Sequence, residues 1–593
     1  MMRRVLLVAA VVLFGWGGLV LLTGGIDTRV LGVAIRSREP FRSLVGSLAC
    51  ALTLALFFRS EFSGQLDRAV ALVRGSATAI AVALALALAA HALVFGSFAV
   101  GGADEYGYVN QAYDWASGVL PRAIALPPAL PFPTSDQMLM PLGYRLGPAP
   151  HTMVPTYPVG LPLMMAAMLA FGPCGPFLVV PIFAALFVWF TFLLGRRAAG
   201  PVAGAVAAAV LAASPAVLFQ AVWPMSDVPS GALWTGAAAC SLGGRRGSAV
   251  LAGICMALGL LMRPNLVLLP IAPLAAIAAG VRGRERWIRV GLFVLPLVPV
   301  TLLVGMLNAT WYGAPWLSGY GATGEIYSAA NLWPNLKRYS SWLWQSESPW
   351  MLIALVPLLP VFAMHVERRA RRLVVLLIFT TLCCYLPYAQ FDAWWYLRFL
   401  LPAFGALAVL IAAGLIAIAR TAMQPFGRIA SAAVLWLLLV SMLSFANGKG
   451  VFGLLRAGER RYIDVSQFVA RALPDNAALF SMQYSGPLRF YSGRLTLRYD
   501  RVKKEWAKDV PALVERAGYH PYMVIDEWET PYVRPQFGLP DDSVLPWPVI
   551  ARMREFGGVT VFDMATHPNV ASPVALVPGG TRLCEARHRL YTK

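Results

Sequence analysis

Charge is what this chain has little of. Lys, Arg, Asp and Glu make up 13% of 593 residues, against 58% hydrophobic ones. That scarcity, with a mean hydropathy of +0.64, excludes a single soluble domain. Several apolar runs instead reach the roughly twenty residues that span a bilayer. There is no CxxC and no His/Cys cluster, which argues against a structural zinc site. No Gly-rich phosphate loop is seen. Seven Cys are scattered, Cys50, Cys174, Cys240, Cys255, Cys383, Cys384 and Cys584, and most read as small core residues. No small-residue cleavage site follows the opening Met1-Met2-Arg3-Arg4, so the first apolar run is expected to stay as a helix.

What is present is a polytopic α-helical pattern. Spans are expected near 5–23, 43–58, 77–100, 177–194, 201–219, 229–242, 249–262, 266–280, 288–310, 350–365, 373–388, 400–419 and 429–446, about thirteen. The formal charge of +20 would suggest nucleic acid in a soluble protein. Here Arg clusters between helices explain it: Arg59, Arg68, Arg74, Arg196-Arg197, Arg245-Arg246, Arg282, Arg284, Arg286, Arg368-Arg369, Arg371-Arg372, Arg420 and Arg428. Counting spans puts them on one side with the N-terminus, the cytoplasm, as the positive-inside rule expects. Loop 24–42, with Arg29, Arg36, Arg38 and Arg42, is the exception. The run from Tyr157 to Phe171 is too short to cross and is expected to lie in or dip into the outer interface.

This parity sends the long loops 101–176, 220–228, 311–349 and 389–399 to the outer face, together with everything from 447. Asp104 and Glu105 stand where the helix ending near Val100 meets water, since a carboxylate at mid-bilayer costs about 2.5–3.5 kcal/mol. A solvated helix end would also place acids there. The same loop passes through the Pro-rich stretch Leu126 to Pro133 to Arg145, His151 and Tyr157. The next holds Ser226 and Asp227, able to cap the helix that starts near Pro229. Arg263 is a lone outer cation, suited to a phosphate or to snorkelling. Loop 311–349 is rich in Trp and Tyr, Tyr320 among them; such residues form interface belts and also stack on sugars. In 389–399, Trp394 precedes Arg398, whose charge at a helix end needs a partner.

These residues resemble the GT-C-type membrane glycosyltransferases, within them the protein O-mannosyltransferase and aminoarabinose-transferase-like group. The carrying residues are Asp104-Glu105 with Tyr108 and Ala112, then Tyr157-Pro158-Val159-Gly160, which is similar to a Tyr-Pro-Pro segment. Ser226-Asp227-Val228-Pro229, Trp311-Tyr312-Gly313-Ala314-Pro315 and Trp395-Tyr396-Leu397-Arg398-Phe399 follow, so the likeness covers 77 to about 405. The first two helices look like an addition to that core.

The resemblance implies a polyprenyl-phosphate-linked sugar donor, an outer-face site, inversion at the anomeric carbon, and an aspartate base. Carried over, the base is Asp104. Neighbouring side chains on a helix diverge by about 100°, so Glu105 is expected to support the base rather than act beside it on the same hydroxyl. Asp227 would position the acceptor or share a divalent ion with Asp104, although two carboxylates alone do not define a metal site. Arg398, Arg263 and more weakly Arg145 would face the lipid phosphate. His151, Tyr157, Tyr320 and Trp394 complete the candidate substrate-binding set. The acceptor would be a glycan, lipid or protein; the bilayer is a partner and nucleic acid is not. A transporter or flippase of lipid-linked sugars is the competing class, but it should carry mid-helix charges and two related halves, and neither is seen.

From 447 the composition turns soluble. Strands are expected at 477–482, 496–499, 522–525 and 559–562, with helices at 459–473 and 510–517, giving a small α/β domain with a mainly parallel sheet. The chain thus divides into 1–76, a two-helix addition; 77–446, the catalytic core; and 447–593, a domain outside the membrane. Ser481 to Gly486 in the last is a strand-to-helix turn, an ordinary loop or a site for carbohydrate or phosphate.

Overall fold

In a computed structural model, all residues are described except 1, 24–25, 31–32, 38–39, 58, 125–134, 422–425, 542–543, 569–571, 578–583 and 585–593. The Pro-rich stretch Leu126 to Pro133, and parts of loop 24–42, lie outside the described residues.

The chain opens with α1 (Met2–Thr23), the antiparallel hairpin β1 (Ile26–Val30) and β2 (Val33–Ser37), and α2 (Pro40–Phe57). Next, α3 (Arg59–Phe95) runs unbroken through position 76. A loop region then holds α4 (Asp104–Ala116), β3 (Arg122–Ala123), α5 (Ser135–Leu139), β4 (Tyr144–Leu146), β5 (Thr152–Pro155) and α6 (Gly160–Met168), with the strands ordered β3-β5-β4. The bundle follows: α7 (Gly175–Ala199), α8 (Pro201–Ala213), α9 (Pro215–Ala221), α10 (Asp227–Ser241), α11 (Arg246–Met262), α12 (Ile271–Gly280), α13 (Gly283–Val294) and α14 (Leu297–Tyr312). It continues through α15 (Thr323–Ile326), α16 (Leu332–Ser346), α17 (Arg368–Tyr385), α18 (Leu401–Thr421) and α19 (Phe426–Gly448).

Among the described residues five helical stretches are long and apolar enough to cross a bilayer: Gly64–Phe95, Gly175–Ala199, Gly283–Tyr312, Trp394–Arg420 and Phe426–Gly448. The pair α8 and α9, bent by 61°, would make a sixth. The expected count of about thirteen is therefore not reached by length alone. Several expected spans, such as 249–262, appear as shorter helices, and 350–365 is partly a 3-10 stretch, Pro349–Leu358. Gly160–Phe171 is likewise a short apolar helix.

Prolines start helices where a missing N–H costs nothing: Pro201 opens α8 and Pro215 opens α9. At the bend between them the freed backbone is capped twice. Ser214 Oγ accepts from the Val217 amide at 3.3 Å, and Glu347 Oε1 from the Ala216 amide at 3.2 Å. Packing relies on small residues, as helices in lipid require. A Cβ on Gly195 in α7 would stand 3.0 Å from the Gly204 Cα of α8, so the two backbones touch.

The arginine clusters gather at one end of the bundle. Arg197 donates to the Ala239 carbonyl, and Arg369 to those of Ala276 (2.7 Å) and Ser241. Glu285 accepts from Arg246 and Arg289.

At the opposite end lies the C-terminal unit: α20 (Leu454–Ala472), β6 (Ala477–Phe480), α21 (Ser485–Ser492), β7 (Leu495–Leu497), α22 (Val510–Arg516), β8 (His520–Asp526), α23 (Thr530–Gln536), β9 (Val549–Met553), β10 (Val559–Asp563) and β11 (Val574–Ala575). Its six strands are ordered β11-β9-β10-β8-β6-β7. The pairs β6–β7, β6–β8 and β9–β11 are parallel, while β8–β10 and β9–β10 are antiparallel. The sheet is thus mixed: β10 runs against both its neighbours, because the short connection 554–558 turns it back along β9, and such a pair needs no helical crossover, while the other strands run in one direction, as the mainly parallel expectation had it.

This unit grips the loop region. Tyr491 Oη accepts from the Val100 amide (2.8 Å), Ser485 Oγ from the Leu142 amide (3.1 Å), and Arg489 donates to the Leu139 carbonyl (2.7 Å). Tyr106 seats its ring where a Gly486 Cβ would be, 2.3 Å away. One buried apolar cluster runs without a break from Tyr106, Tyr144 and Leu161 to Phe480, Phe490 and Ile525. Cys174 and Cys584 form a disulfide that joins the start of α7 to the chain's end. These two are therefore not core thiols, contrary to the expectation from their sequence context: neither spacing nor hydropathy relates residues 410 positions apart.

Candidate functional site

Asp104 is the first residue of α4 and lies at the loop-covered end of the bundle. Its Oδ1 accepts from Tyr157 Oη at 2.6 Å and its Oδ2 from Arg398 Nη1 at 2.9 Å. The carboxylate keeps 30% of its surface exposed, so it is held on two sides and open on a third. Burial, with Asp104 beside it, pushes the Tyr157 phenol well above its ordinary value. Tyr157 is therefore a donor to Asp104 at neutral pH. A glycine at 107 is required for this contact, since a Cβ there would meet the Tyr157 ring at 2.2 Å.

A second ion pair stands alongside. Arg263 Nη2 donates to Asp227 Oδ1 at 2.5 Å, Nη1 to Tyr385 Oη at 3.0 Å, and Nε to Ser226 Oγ at 3.3 Å. Ser226 in turn bonds Tyr108 Oη at 2.9 Å. Asp227 is only 1% exposed, and its Oδ2 has no partner among the described residues. Helix capping does not account for this pair of residues, because Ser226, the N-cap residue of α10, makes no side-chain cap bond. The two guanidiniums flank one ring, Arg398 at 5.3 Å and Arg263 at 5.8 Å from the Phe399 centroid. Arg398 also lies 5.1 Å from the Tyr396 ring, and its Nε is unpartnered among the described residues.

The site thus gathers residues from α4, the loop before α6, the start of α10, the end of α11 and the 3-10 stretch Trp394–Leu400. Tyr320 joins at its rim, its ring 6.0 Å from that of Tyr157. Three candidates fall elsewhere. Arg145 donates to the carbonyls of Ser318 (3.2 Å) and Gly319 (2.7 Å), bracing the loop after α14. His151 pairs with Asp136 at 2.9 Å on the surface. Trp394 is packed against Phe219 and Phe445, each at 5.1 Å, as part of the core. Facing inward, the indole buries more apolar area than it would at the rim. Glu105 is buried, its Oε2 beside Gly102 where Gln483 of the C-terminal unit also reaches, a direction that the angular divergence of helix neighbours allows.

The donor set does not fit a shared divalent ion. Each aspartate already faces a guanidinium, and among the described residues no group of three His, Cys, Asp or Glu side chains could hold a metal.

Sequence reasoning missed Tyr385 and quoted Tyr396 only inside a motif, without a role. Both sit in aromatic runs that also read as an interface belt, and no spacing singled them out.

No protein-family model matches the chain, and no curated protein does. Solved structures with a weak likeness to the chain include the following. ArnT from Cupriavidus metallidurans, bound to undecaprenyl phosphate, is 14% identical with a TM-score of 0.49, over 83% of this chain and 99% of that one. The archaeal oligosaccharyltransferase AglB from Archaeoglobus fulgidus is 10% identical with a TM-score of 0.48, over 82% and 74%. The arabinofuranosyltransferase AftD from Mycobacteria is 14% identical with a TM-score of 0.47, over 82% and 40%. AglB and AftD are glycosyl-transfer enzymes by name, the class the sequence motifs resemble. Overlap at this level assigns no residue a role.

Proposed function

We propose that the chain is an inverting membrane glycosyltransferase that moves a monosaccharide from a polyprenyl-phosphate donor to a glycan, lipid or protein acceptor. The observation that carries it is the half-open Asp104 carboxylate, held by Tyr157 and Arg398 next to a second arginine. The acceptor hydroxyl oxygen forms a bond to the anomeric carbon and gives its proton to Asp104. The bond from that carbon to the phosphate oxygen breaks, and the lipid phosphate leaves with the electron pair. Its charge faces Arg398 and Arg263, which stacking on Phe399 holds in place. Tyr157 keeps the base oriented while its own proton stays bound. Asp227 fixes Arg263 with one oxygen and leaves the other for a substrate hydroxyl.

On this reading the site faces the cell exterior, with the arginine-rich end in the cytoplasm. The disulfide supports that sidedness, because such bonds persist in oxidising compartments. Membranes containing the protein, given radiolabelled polyprenyl-phosphate sugars, should release free polyprenyl phosphate and label an acceptor. Passage of intact labelled donor across the bilayer without cleavage would instead identify a flippase.

A further inference from the structure

The sheet of the C-terminal unit has a point where its winding changes direction. From β6 the chain passes to β7 on one side, then crosses back to β8 on the other, and both pairs are parallel. Open α/β sheets bind ligands beyond the carboxyl ends of their strands at such a point. Here those ends lead into Ser481 to Tyr484 after β6 and into the 3-10 turn Glu527–Glu529 after β8. Glu529 ties the two connections together. Its Oε1 accepts from the Gln483 amide at 3.2 Å and its Oε2 from the Asp526 amide at 3.0 Å. Gln483 Nε2 lies 2.9 Å from where a Gly102 Cβ would stand, so this edge abuts the turn from which α4 and Asp104 start.

Two aromatic rings stand exposed just after β8. Trp528 keeps 48% of its surface exposed and Tyr532 61%. They form a corner, with centroids 6.2 Å apart and planes at 78°. The indole is fixed in place: Nε1 donates to Asp526 Oδ2 at 2.9 Å, and that oxygen also accepts from Arg461 at 3.2 Å. A ring immobilised beforehand loses little freedom when a ligand stacks on it. Glu527 is exposed beside them, its side chain laid on Gly558, where a Cβ would stand 2.3 Å from its Cδ. Among the described residues no cation pairs with its carboxylate.

The charge around the corner selects the ligand. Trp528 stands in the run Asp526-Glu527-Trp528-Glu529. Acids on both sides of a ring repel a phosphate and an anionic lipid surface, which membrane-binding segments meet with Lys and Arg. Aromatic faces beside a free carboxylate suit a neutral polyol. The C–H bonds of a sugar ring meet the negative face of an aromatic ring, and sugar hydroxyls donate to the carboxylate.

We propose that this corner is a docking platform for the acceptor, and that the acceptor is a neutral glycan chain. Trp528 and Tyr532 stack sugar rings, Glu527 takes sugar hydroxyls, and the chain is held next to the turn that starts α4. The use of the platform rests on the glycosyltransferase reading; the binding itself does not.

The full-length protein, held in amphipol so that no sugar-headed detergent competes, is applied to immobilised neutral gluco-, manno-, galacto- and arabino-oligosaccharides. Wild type should bind at least one of these series. W528A and Y532A should each lose about tenfold in affinity, and E527Q less. Tyr532 is exposed, so Y532A should unfold at the wild-type midpoint, which keeps the test open if W528A folds poorly. In membranes supplied with the bound oligosaccharide as acceptor, Y532A should raise the acceptor KM about tenfold and leave kcat and the donor KM unchanged. Absence of binding to every series overturns the proposal, as does equal affinity in wild type, W528A and Y532A. Binding to phosphatidylglycerol vesicles that W528A and Y532A abolish, without oligosaccharide binding, would make the corner a membrane contact and overturn it too. A wild type that binds oligosaccharide through these residues yet transfers no sugar upholds the platform and sinks only the glycosyltransferase reading.

Discussion

The two ends of the helical bundle use arginine in opposite ways. At one end Arg197 and Arg369 meet carbonyls of Ala239, Ser241 and Ala276, at or near the C-termini of α10 and α12. There the guanidinium satisfies orphan carbonyls and the negative end of the helix dipole. At the other end Arg263 and Arg398 meet carboxylates, phenols and a phenylalanine ring. The first set completes the fold; the second holds charge in an open, partly desolvated space. The same residue type therefore caps helix ends at one end and lines a candidate phosphate site at the other. Only the partner distinguishes them.

The strongest way to break this comparison is at the site's base. Asp104→Asn keeps the shape and removes the basicity, so transfer should fall about 10²–10⁴-fold. Donor binding and unfolding midpoint should stay close to wild type. Near-normal turnover in Asp104→Asn, with loss in Glu105→Gln or Asp227→Asn, would move the base elsewhere.

Next in size is the arginine pair. Arg398→Ala and Arg263→Ala should weaken donor binding by about 2–5 kcal/mol, since each leaves a charge uncompensated. Arg145→Ala, whose partners are loop carbonyls, should leave donor affinity in place. Equal losses at all three, measured by lipid-phosphate titration, would erase the distinction between bracing and binding arginines.

The cysteines sharpen the same contrast. Cys174→Ser opens the disulfide at the site end and should cost about 2–4 kcal/mol of stability in non-reducing buffer. Cys240, a free thiol in the Arg197 region, should tolerate serine with a far smaller loss. Equal midpoints for Cys174→Ser and wild type would show that the tether is dispensable.

The smallest effect is expected at the basic end. Arg369→Ala should destabilise by about 1–3 kcal/mol by leaving carbonyls without a donor, with no change in donor affinity. A large drop in affinity there would contradict the division drawn between the ends.

The residues alone determined the helical membrane class, the clustering of the Arg-rich loops at one end, and the strand-helix character after 447. Each follows from periodicity, segment length and charge placement, which are local quantities. They also brought out Asp104, Asp227, Arg263 and Arg398, because charge at the end of an apolar run is conspicuous whatever it contacts. Tertiary structure alone decided the pairings. Asp104 meets Arg398 across 294 positions, and Cys174 meets Cys584 across 410. Trp394 and Arg145 look as exposed and functional in the sequence as Trp395 and Arg398 do. What turns the first two inward or onto a neighbouring loop is the crossing of distant segments. Glu105 reads as a neighbour of Asp104 on the chain, and packing also buries it beside Gln483 of the C-terminal unit. Contacts at such separations carry no local signal, since they exist only once the apolar surfaces between them have closed.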